Sequence, residues 1–471
     1  MSIVARFLSL RPRLNRNVIL VGCAVLVLAG AAGFEYYRSH QNRPAVLSAQ
    51  TAQTAQTVLA EANAPIAEER QNTIYTEFLL EIFDKVKENY WKKVTDEELI
   101  TLFRLSAEKV TGKTLALPSV DKSGLAQMFE EAVAREAEEK KKDTTSQIAT
   151  VALANLEPFG RSGLYTQKDE TNLKNMVQNI DTSTDLYQTL GVDKSATQED
   201  IEQQYASKSQ DLTATVNDKT KTEEERKVAE EKLALITRAH DTLQKEETRE
   251  TYNQSGAEAT VVGALVRPEV LHLKIKRFSP VTVDEFVKVA NAFDTGDALH
   301  SLILDLRGNI GGAIDLLQYL LGPFLGQNQY AFEFFHQDEY TPYKTVAGWL
   351  PSLVRYKKVV VLIDGNAQSS TEMMAAALKK YNVGVLVGTK TKGWGTVEKV
   401  FALDHQIDPT QKYSMFLVHS LTLRDDNLPI EGRGVDPAVN INDKDWETQL
   451  NEYFSYPPLI DAVKKVLKQP L

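Results

Sequence analysis

The chain has 471 residues, with 54 Lys+Arg against 64 Asp+Glu, a net charge of −10 and one cysteine. That length is too great for one compact core and implies several domains. A single cysteine excludes an intrachain disulfide framework and a Cys-rich structural zinc site, and the acidic balance argues against a nucleic-acid binder, which presents a basic face.

Residues 1–17 carry Arg6, Arg11, Arg13 and Arg16 and no acid, and read as a basic cytoplasmic tail. An uncharged apolar run occupies 18–34, near the lower limit of ~17–25 residues for a membrane-spanning helix. Arginines before it and Glu35 after it follow the positive-inside rule, which places the soluble part outside the cytoplasm, periplasmic or extracellular. The run reads as a transmembrane anchor or, given the small residues Ala29 to Gly33, as a cleaved signal sequence. Leu20-Val21-Gly22-Cys23 resembles a lipoprotein box, but most of the apolar run follows the cysteine instead of preceding it. Either way Cys23 is absent from the soluble part. Residues 35–72, rich in Gln, Ala, Thr and Asn from 41 onwards, form a linker.

Residues 73–180 have the pattern of an all-α N-terminal domain. Phe78, Leu79, Ile82, Phe83 and Val86 recur at three and four, which makes one apolar helix face. Thr95 or Asp96 caps the next helix, with acids in its first turn. A further helix is expected over 123–143, ending in the solvated charge run Glu138 to Lys142.

Residues 184–256 form a second all-α unit. Asp185 to Val192 leads into a capped helix from Ala196, and a long charged helix follows at about 222–244. The unit ends in Thr248-Arg249-Glu250-Thr251-Tyr252-Asn253-Gln254-Ser255-Gly256. The opening, the helix through Tyr205 and this ending resemble a J-domain over its whole length. The His-Pro-Asp tripeptide with which J-domains stimulate a chaperone ATPase is absent. Counting on from Tyr205, its place falls at Thr213-Ala214-Thr215. No chaperone ATPase partner is therefore expected, and the module reads as a spacer or docking surface.

Over 258–445 strands alternate with helices, which argues an α/β domain. Strands are expected at 270–275, 302–306, 359–363 and 385–388, with helices from Thr282, at 314–321 and at 371–380. Residues 446–471 are a C-terminal helical segment. Three stretches of the α/β domain carry candidate chemistry. In Asp305-Leu306-Arg307-Gly308-Asn309-Ile310-Gly311-Gly312, a buried strand enters a Gly-rich turn whose N–H groups can face a developing negative charge. In Asp364 to Glu372, hydroxyls stand at a helix start, where a serine serves as cap or as nucleophile. The third stretch is Gly388 to Glu398.

In this order and spacing, with Phe278-Ser279-Pro280-Val281-Thr282 and Ile430 to Pro437, they resemble the C-terminal processing (tail-specific) serine peptidases. The likeness runs from about 268 to 441. It implies an α/β core of the crotonase and Clp-protease type, a ββα spiral. The usual PDZ domain is missing, and the J-like module stands in its place. The resemblance makes Ser369 the nucleophile, with oxyanion donors at Ser370 and in the Gly311-Gly312 turn. The family's general-base Lys position is held by Trp394, and the Gln that orients the base is Glu398. An indole has only an N–H donor and cannot take the serine's proton.

Two readings follow. One is a catalytically impaired homologue that binds a peptide or protein as a scaffold. The other is an active serine endopeptidase in which Lys392, or Lys390, or His419, serves as a displaced base with Glu398 holding it. The resemblance also implies a homo-oligomer formed through N-terminal helices. No P-loop, complete dinucleotide fingerprint or paired-histidine metal motif occurs, so neither metal nor cofactor is expected.

Overall fold

The computed structural model describes residues 73–469 apart from 295–298 and 425. The basic tail, the apolar run 18–34 and the linker lie outside these residues. Among the described residues, no helix is long and apolar enough to cross a membrane.

The chain begins with four helices, α1 (Ile74–Asn89), α2 (Asp96–Thr111), α3 (Lys122–Ala134) and α4 (Glu138–Ala154). The stripe Phe78, Leu79, Ile82, Phe83 and Val86 on α1 is buried throughout, each side chain contributing roughly 1.5–3 kcal/mol. Phe78→Ala would cost about 3–5 kcal/mol. Thr95 Oγ1 takes the Glu98 N–H at 3.2 Å while Glu98 Oε2 takes the Thr95 N–H at 2.8 Å, a reciprocal cap for α2 contributing about 1 kcal/mol. The single helix expected over 123–143 is two helices. Ala137 is extended, and the charge run starts α4 instead of ending α3. Glu138 and Glu139 in that first turn suit the positive end of the helix dipole.

β1 (Gly163–Thr166) and α5 (Gln167–Val177) follow. The helical unit α6 (Leu186–Leu190), α7 (Gln198–Asn217), α8 (Glu223–Leu243) and α9 (Glu246–Ser255) packs around Leu186, Tyr187, Leu190, Ile201, Leu233 and Ile236. Residues Thr213 to Thr215 lie inside α7, not in a loop. The loop between the two long helices is Asp218 to Thr222 and contains neither His nor Pro, so the count from Tyr205 falls several residues short of it. Tyr205 instead stacks on His240 with ring centroids 3.9 Å apart.

The α/β part comprises β2 (Val261–Arg267), β3 (Val270–Ile275), α10 (Thr282–Ala292), β4 (Ser301–Asp305), a 3-10 turn at Ile314–Leu316, α11 (Leu317–Leu320), α12 (Gly322–Leu325), β5 (Tyr330–His336), β6 (Glu339–Lys344), α13 (Pro351–Val354), β7 (Lys358–Ile363), α14 (Ser370–Lys380), β8 (Val385–Gly388), β9 (Thr396–Ala402), β10 (Tyr413–Thr422), β11 (Val439–Asn440), α15 (Trp446–Phe454) and α16 (Pro457–Leu467). The helix expected at 314–321 is interrupted, with Pro323 opening α12.

One sheet has the order β11-β8-β7-β4-β3-β2. It is parallel from β11 to β3, with β2 an antiparallel edge. Its central strands are buried on both faces. Leu302 and Leu304 join the cluster that includes Phe286 of α10 and Met374 of α14, while Ile303 joins the one that includes Leu459 and Val463 of α16. Two-sided burial is why these strands read as continuous apolar runs.

The second sheet, β1-β10-β5-β6 with β9 also on β10, is antiparallel. Leu403, Ile407, Met415 and Leu417, from β10 and the segment before it, belong to the same apolar cluster as α1 to α4. The helices at 74–154 therefore share a core with this sheet, and β1 pairs with β10 from Gly163↔Phe416 to Thr166↔Tyr413.

Candidate active site

The carboxyl ends of β4 and β7 lie side by side, with Asp305 opposite Leu362. Such ends are where parallel sheets place ligands. Asp305 is fully buried and accepts Arg307 Nε at 2.9 Å and Nη2 at 2.7 Å, with His272 Nε2 at 3.1 Å. Burial pushes its carboxyl up, but the Arg307 and His272 bonds outweigh this and hold it far below the usual carboxylate range. Arg307 also reaches the Val466 carbonyl at 3.1 Å, pinning α16 beneath the turn.

Asp364, just after β7, ties the two turns together. Its Oδ1 takes the N–H of Gly308 at 3.0 Å and of Ala367 at 2.9 Å. The Asn309 carbonyl takes Gln368 N–H at 3.1 Å and the Thr371 hydroxyl at 3.0 Å. Gly311 has φ 91°. A Cβ there would meet Ser369 Cβ at 2.9 Å, so the glycine turn lies directly against Ser369.

Ser369 is half-buried and has φ 58° and ψ −128°. That region favours glycine and costs a serine roughly 1–3 kcal/mol. It sits immediately before α14. Ser370 is buried, and its hydroxyl donates to the Gly312 carbonyl at 2.9 Å. Of the three N–H groups picked out by sequence, that of Gly311 is taken by Asn309 Oδ1 at 2.9 Å. It is therefore not an open donor. The N–H groups of Gly312 and Ser370 have no protein acceptor among the described residues.

Glu372, fully buried on the first turn of α14, binds the next loop. Its carboxylate accepts Ser369 N–H at 3.0 Å, Gly393 N–H at 2.7 Å, Trp394 N–H at 2.8 Å and the Thr391 hydroxyl. Burial pushes this carboxyl up against the pull of those four bonds. One side chain thus fixes both Ser369 and the loop where a base is expected.

Trp394 occupies that loop. Its indole Nε1 donates to Glu398 Oε1 at 3.2 Å, and Arg161 lies over the ring with its guanidinium carbon 3.5 Å from the centroid. Arg161 Nη2 binds Glu431 Oε1 at 3.0 Å, and Glu431 Oε2 takes the Gly395 N–H at 2.8 Å. Glu398 also accepts the Thr396 hydroxyl, and burial pushes its carboxyl up. The structure therefore brings Ser369, Ser370, Gly312 and Trp394 together around Glu372, with Glu398 behind the indole.

The other candidate bases are elsewhere. Lys392 is exposed and Lys390 is paired with Asp436 at 3.4 Å. Among the described residues neither hydrogen-bonds to the Ser369 hydroxyl. His419 lies within β10. It contacts Lys399 Nζ at 3.1 Å and Ser420 Oγ at 2.8 Å, and stacks on His336 with centroids 4.1 Å apart. Arg161 and Glu431 brace Trp394 and its loop, and neither is among the site residues that the sequence suggests. Glu431 sits in a motif that was noted, whereas Arg161 comes from a segment with no periodic or motif signal.

Residues 269–441 match Peptidase family S41 and residues 185–253 match the DnaJ domain. A carboxy-terminal-processing protease of Bartonella bacilliformis is 24% identical over 178 residues, covering 37% of this chain and 39% of that one. The carboxy-terminal processing protease CtpB of Bacillus subtilis is 26% identical over 209 residues, covering 42% of this chain and 37% of that one. The chain thus spans well under half the length of these curated relatives. Among solved structures, the photosystem II D1 C-terminal processing protease aligns with a TM-score of 0.45 at 12% identity, over 78% of this chain and 93% of that one. A lipoprotein from Streptococcus agalactiae aligns with a TM-score of 0.40 at 11% identity, over 81% and 96%. By sequence, residues 269–441 match Peptidase family S41 and are similar to C-terminal processing proteases, behind a segment that matches the DnaJ domain.

Proposed function

We propose that the chain is a membrane-anchored, extracytoplasmic homologue of the C-terminal processing serine peptidases, with a ββα-spiral core, that binds a protein or peptide in the peptidase cleft and is impaired in hydrolysis. The observation that carries this is the Trp394 indole N–H bound to Glu398. The position of the base holds a donor that cannot accept the serine's proton. The four arginines before the apolar run 18–34 support the anchor and its orientation. The helical module, lacking His-Pro-Asp, serves as a spacer or docking surface.

The test uses the detergent-solubilised full chain, an unfolded protein substrate and a fluorophosphonate probe. The expected result is retained binding of the unfolded chain with no cleavage and no labelling. Cleavage by the wild type that disappears in Ser369→Ala would overturn the reading.

A second reading, an active serine endopeptidase, draws on one observation. Ser369 is held in a strained conformation beside the N–H groups of Ser370 and Gly312, which have no protein acceptors among the described residues. In that case Lys392→Met abolishes the cleavage as Ser369→Ala does.

A further inference from the structure

We infer that the surface formed by α11, the segment from Thr345 to Leu350 and α13 rests on an anionic lipid bilayer, as a membrane contact made by the folded part of the chain. The face is argued from its own residues, none of them at the Ser369 site. Only its setting rests on the anchor proposed above.

The segments that build the face are laced side by side. Val346 N–H bonds to the Gln318 carbonyl at 2.9 Å, Leu350 N–H bonds to the Pro323 carbonyl at 3.1 Å, and the Thr345 hydroxyl donates to the Gly326 carbonyl at 2.6 Å. A Cβ at Gly326 would meet the Trp349 ring at 2.9 Å, so the indole lies against that turn. Trp349 is nevertheless 63% exposed, and its indole N–H has no acceptor among the described residues. Tyr319, Val346 and Val354 are exposed as well, whereas the neighbouring Leu320, Leu350 and Leu353 are buried. These short stretches therefore carry two apolar faces, one filling the core and one turned outwards. An outward apolar face of this kind marks a protein or membrane contact.

The charge pattern selects between the two. In a chain of net charge −10, no acid occurs between Glu339 and Asp364, a stretch that holds Lys344, Arg355, Lys357 and Lys358. Arg355 is committed to Asp294, and Lys358 lies over the Tyr456 ring. Lys344 and Lys357 are exposed and have neither an ion pair nor a hydrogen bond among the described residues. Contacts between proteins favour aromatic and Arg side chains but are depleted in Lys. Free lysines beside an exposed Trp and Tyr suit a bilayer surface, where amphipathic rings sit at headgroup depth and ammonium groups meet anionic lipids. Residues 35–72 could span on the order of 100 Å at full extension, enough chain between the apolar run and Thr73 for this face to meet the membrane that holds the run.

The test uses the full chain in phosphatidylcholine vesicles with and without phosphatidylglycerol, carrying brominated lipids that quench tryptophan. Flotation with the vesicles reports the anchor, and quenching reports the face, since no tryptophan precedes Trp91. The wild type should be quenched in the phosphatidylglycerol vesicles. Trp349→Phe should lose most of that quenching while floating as before. Lys344→Gln combined with Lys357→Gln should weaken the quenching at unchanged flotation, and decides the matter if Trp349→Phe does not fold. The inference fails if the wild type floats unquenched, if a folded Trp349→Phe is quenched as strongly, or if phosphatidylglycerol makes no difference. It also fails if Trp349→Phe instead abolishes self-association, which would make the face a contact between copies. Flotation that itself requires phosphatidylglycerol and Trp349 would overturn the anchor and leave this face standing, whereas a chain that floats with neither vesicle overturns both.

Discussion

The indole of Trp394 and the carboxylate of Glu398, four residues apart, form a donor–acceptor pair at 3.2 Å. The two positions at which the family resemblance expects a lysine and its orienting glutamine are thus replaced together, and the replacements bond to each other. Restoring the base should therefore require both changes. In Trp394→Lys alone, the Glu398 carboxylate would pair with the new ammonium and keep it protonated. Trp394→Lys with Glu398→Gln removes that trap, and the nearby Arg161 cation then favours the neutral amine. The double variant should gain about 10²–10⁴-fold in Ser369-dependent fluorophosphonate labelling, the usual contribution of a positioned general base, and the single variant less. The check is the labelling rate with and without Ser369→Ala.

Glu398 sets a pH dependence of stability. Its folded carboxyl lies above the ordinary value of 4.5, because burial disfavours the charge. Between the two values the folded state binds more protons, so stability is complete below the ordinary value and falls as pH rises through the raised one. Glu398→Gln cannot titrate and can still accept from the indole. Its melting temperature should gain on the wild type as pH increases from about 4 to about 8, other carboxylates being common to both proteins. A gap that narrows with rising pH would contradict this.

Glu372 should be the most sensitive polar residue of the site. Glu372→Ala strands three N–H groups and the Thr391 hydroxyl, for a loss of roughly 3–5 kcal/mol. Glu372→Gln keeps one oxygen but turns an NH₂ towards N–H donors, and should lose roughly 2–3 kcal/mol. Urea midpoints at constant slope measure both.

His419 should stay neutral through the mildly acidic range. Burial, helped by Lys399 and His336, pulls its imidazole down to about 3. Its ring resonances should not titrate between about pH 5 and 8, where an ordinary histidine does. Lys399→Met should move its midpoint upwards, since one opposing cation is gone, while the burial remains. Imidazole NMR on the two proteins settles the sign.

The parts of the fold legible in the sequence are those where one local rule dominates. Val360 to Ile363 and Leu302 to Leu304 are apolar because both sheet faces are covered. The cap at Thr95 needs only the residues up to Glu98. Motif order and spacing marked Ser369, Glu372 and the Gly311 turn as neighbours, but not that the Gly311 N–H is taken by Asn309 Oδ1. The break at Ala137, the short strand β1 and the reach of α7 to Asn217 depend on tertiary contacts that no short window contains. Arg161 was invisible for the same reason. Its partners Trp394 and Glu431 lie more than two hundred residues on, and only the folded chain sets a guanidinium against that indole.

The helical unit α6 to α9 leaves and rejoins the chain at a single point. Ile180 and Ala257 form an antiparallel bridge, and the Glu258 N–H bonds to the Asn179 carbonyl at 3.0 Å. Mechanically this is a neck. A partner gripping the unit would pull on those four residues and on the Lys276–Asp241 and Lys288–Glu247 pairs that also tie the unit to the α/β part. From there the load passes through Thr260, whose carbonyl takes the Lys276 N–H at 2.7 Å, to the end of β3 and the turn beside Ser369.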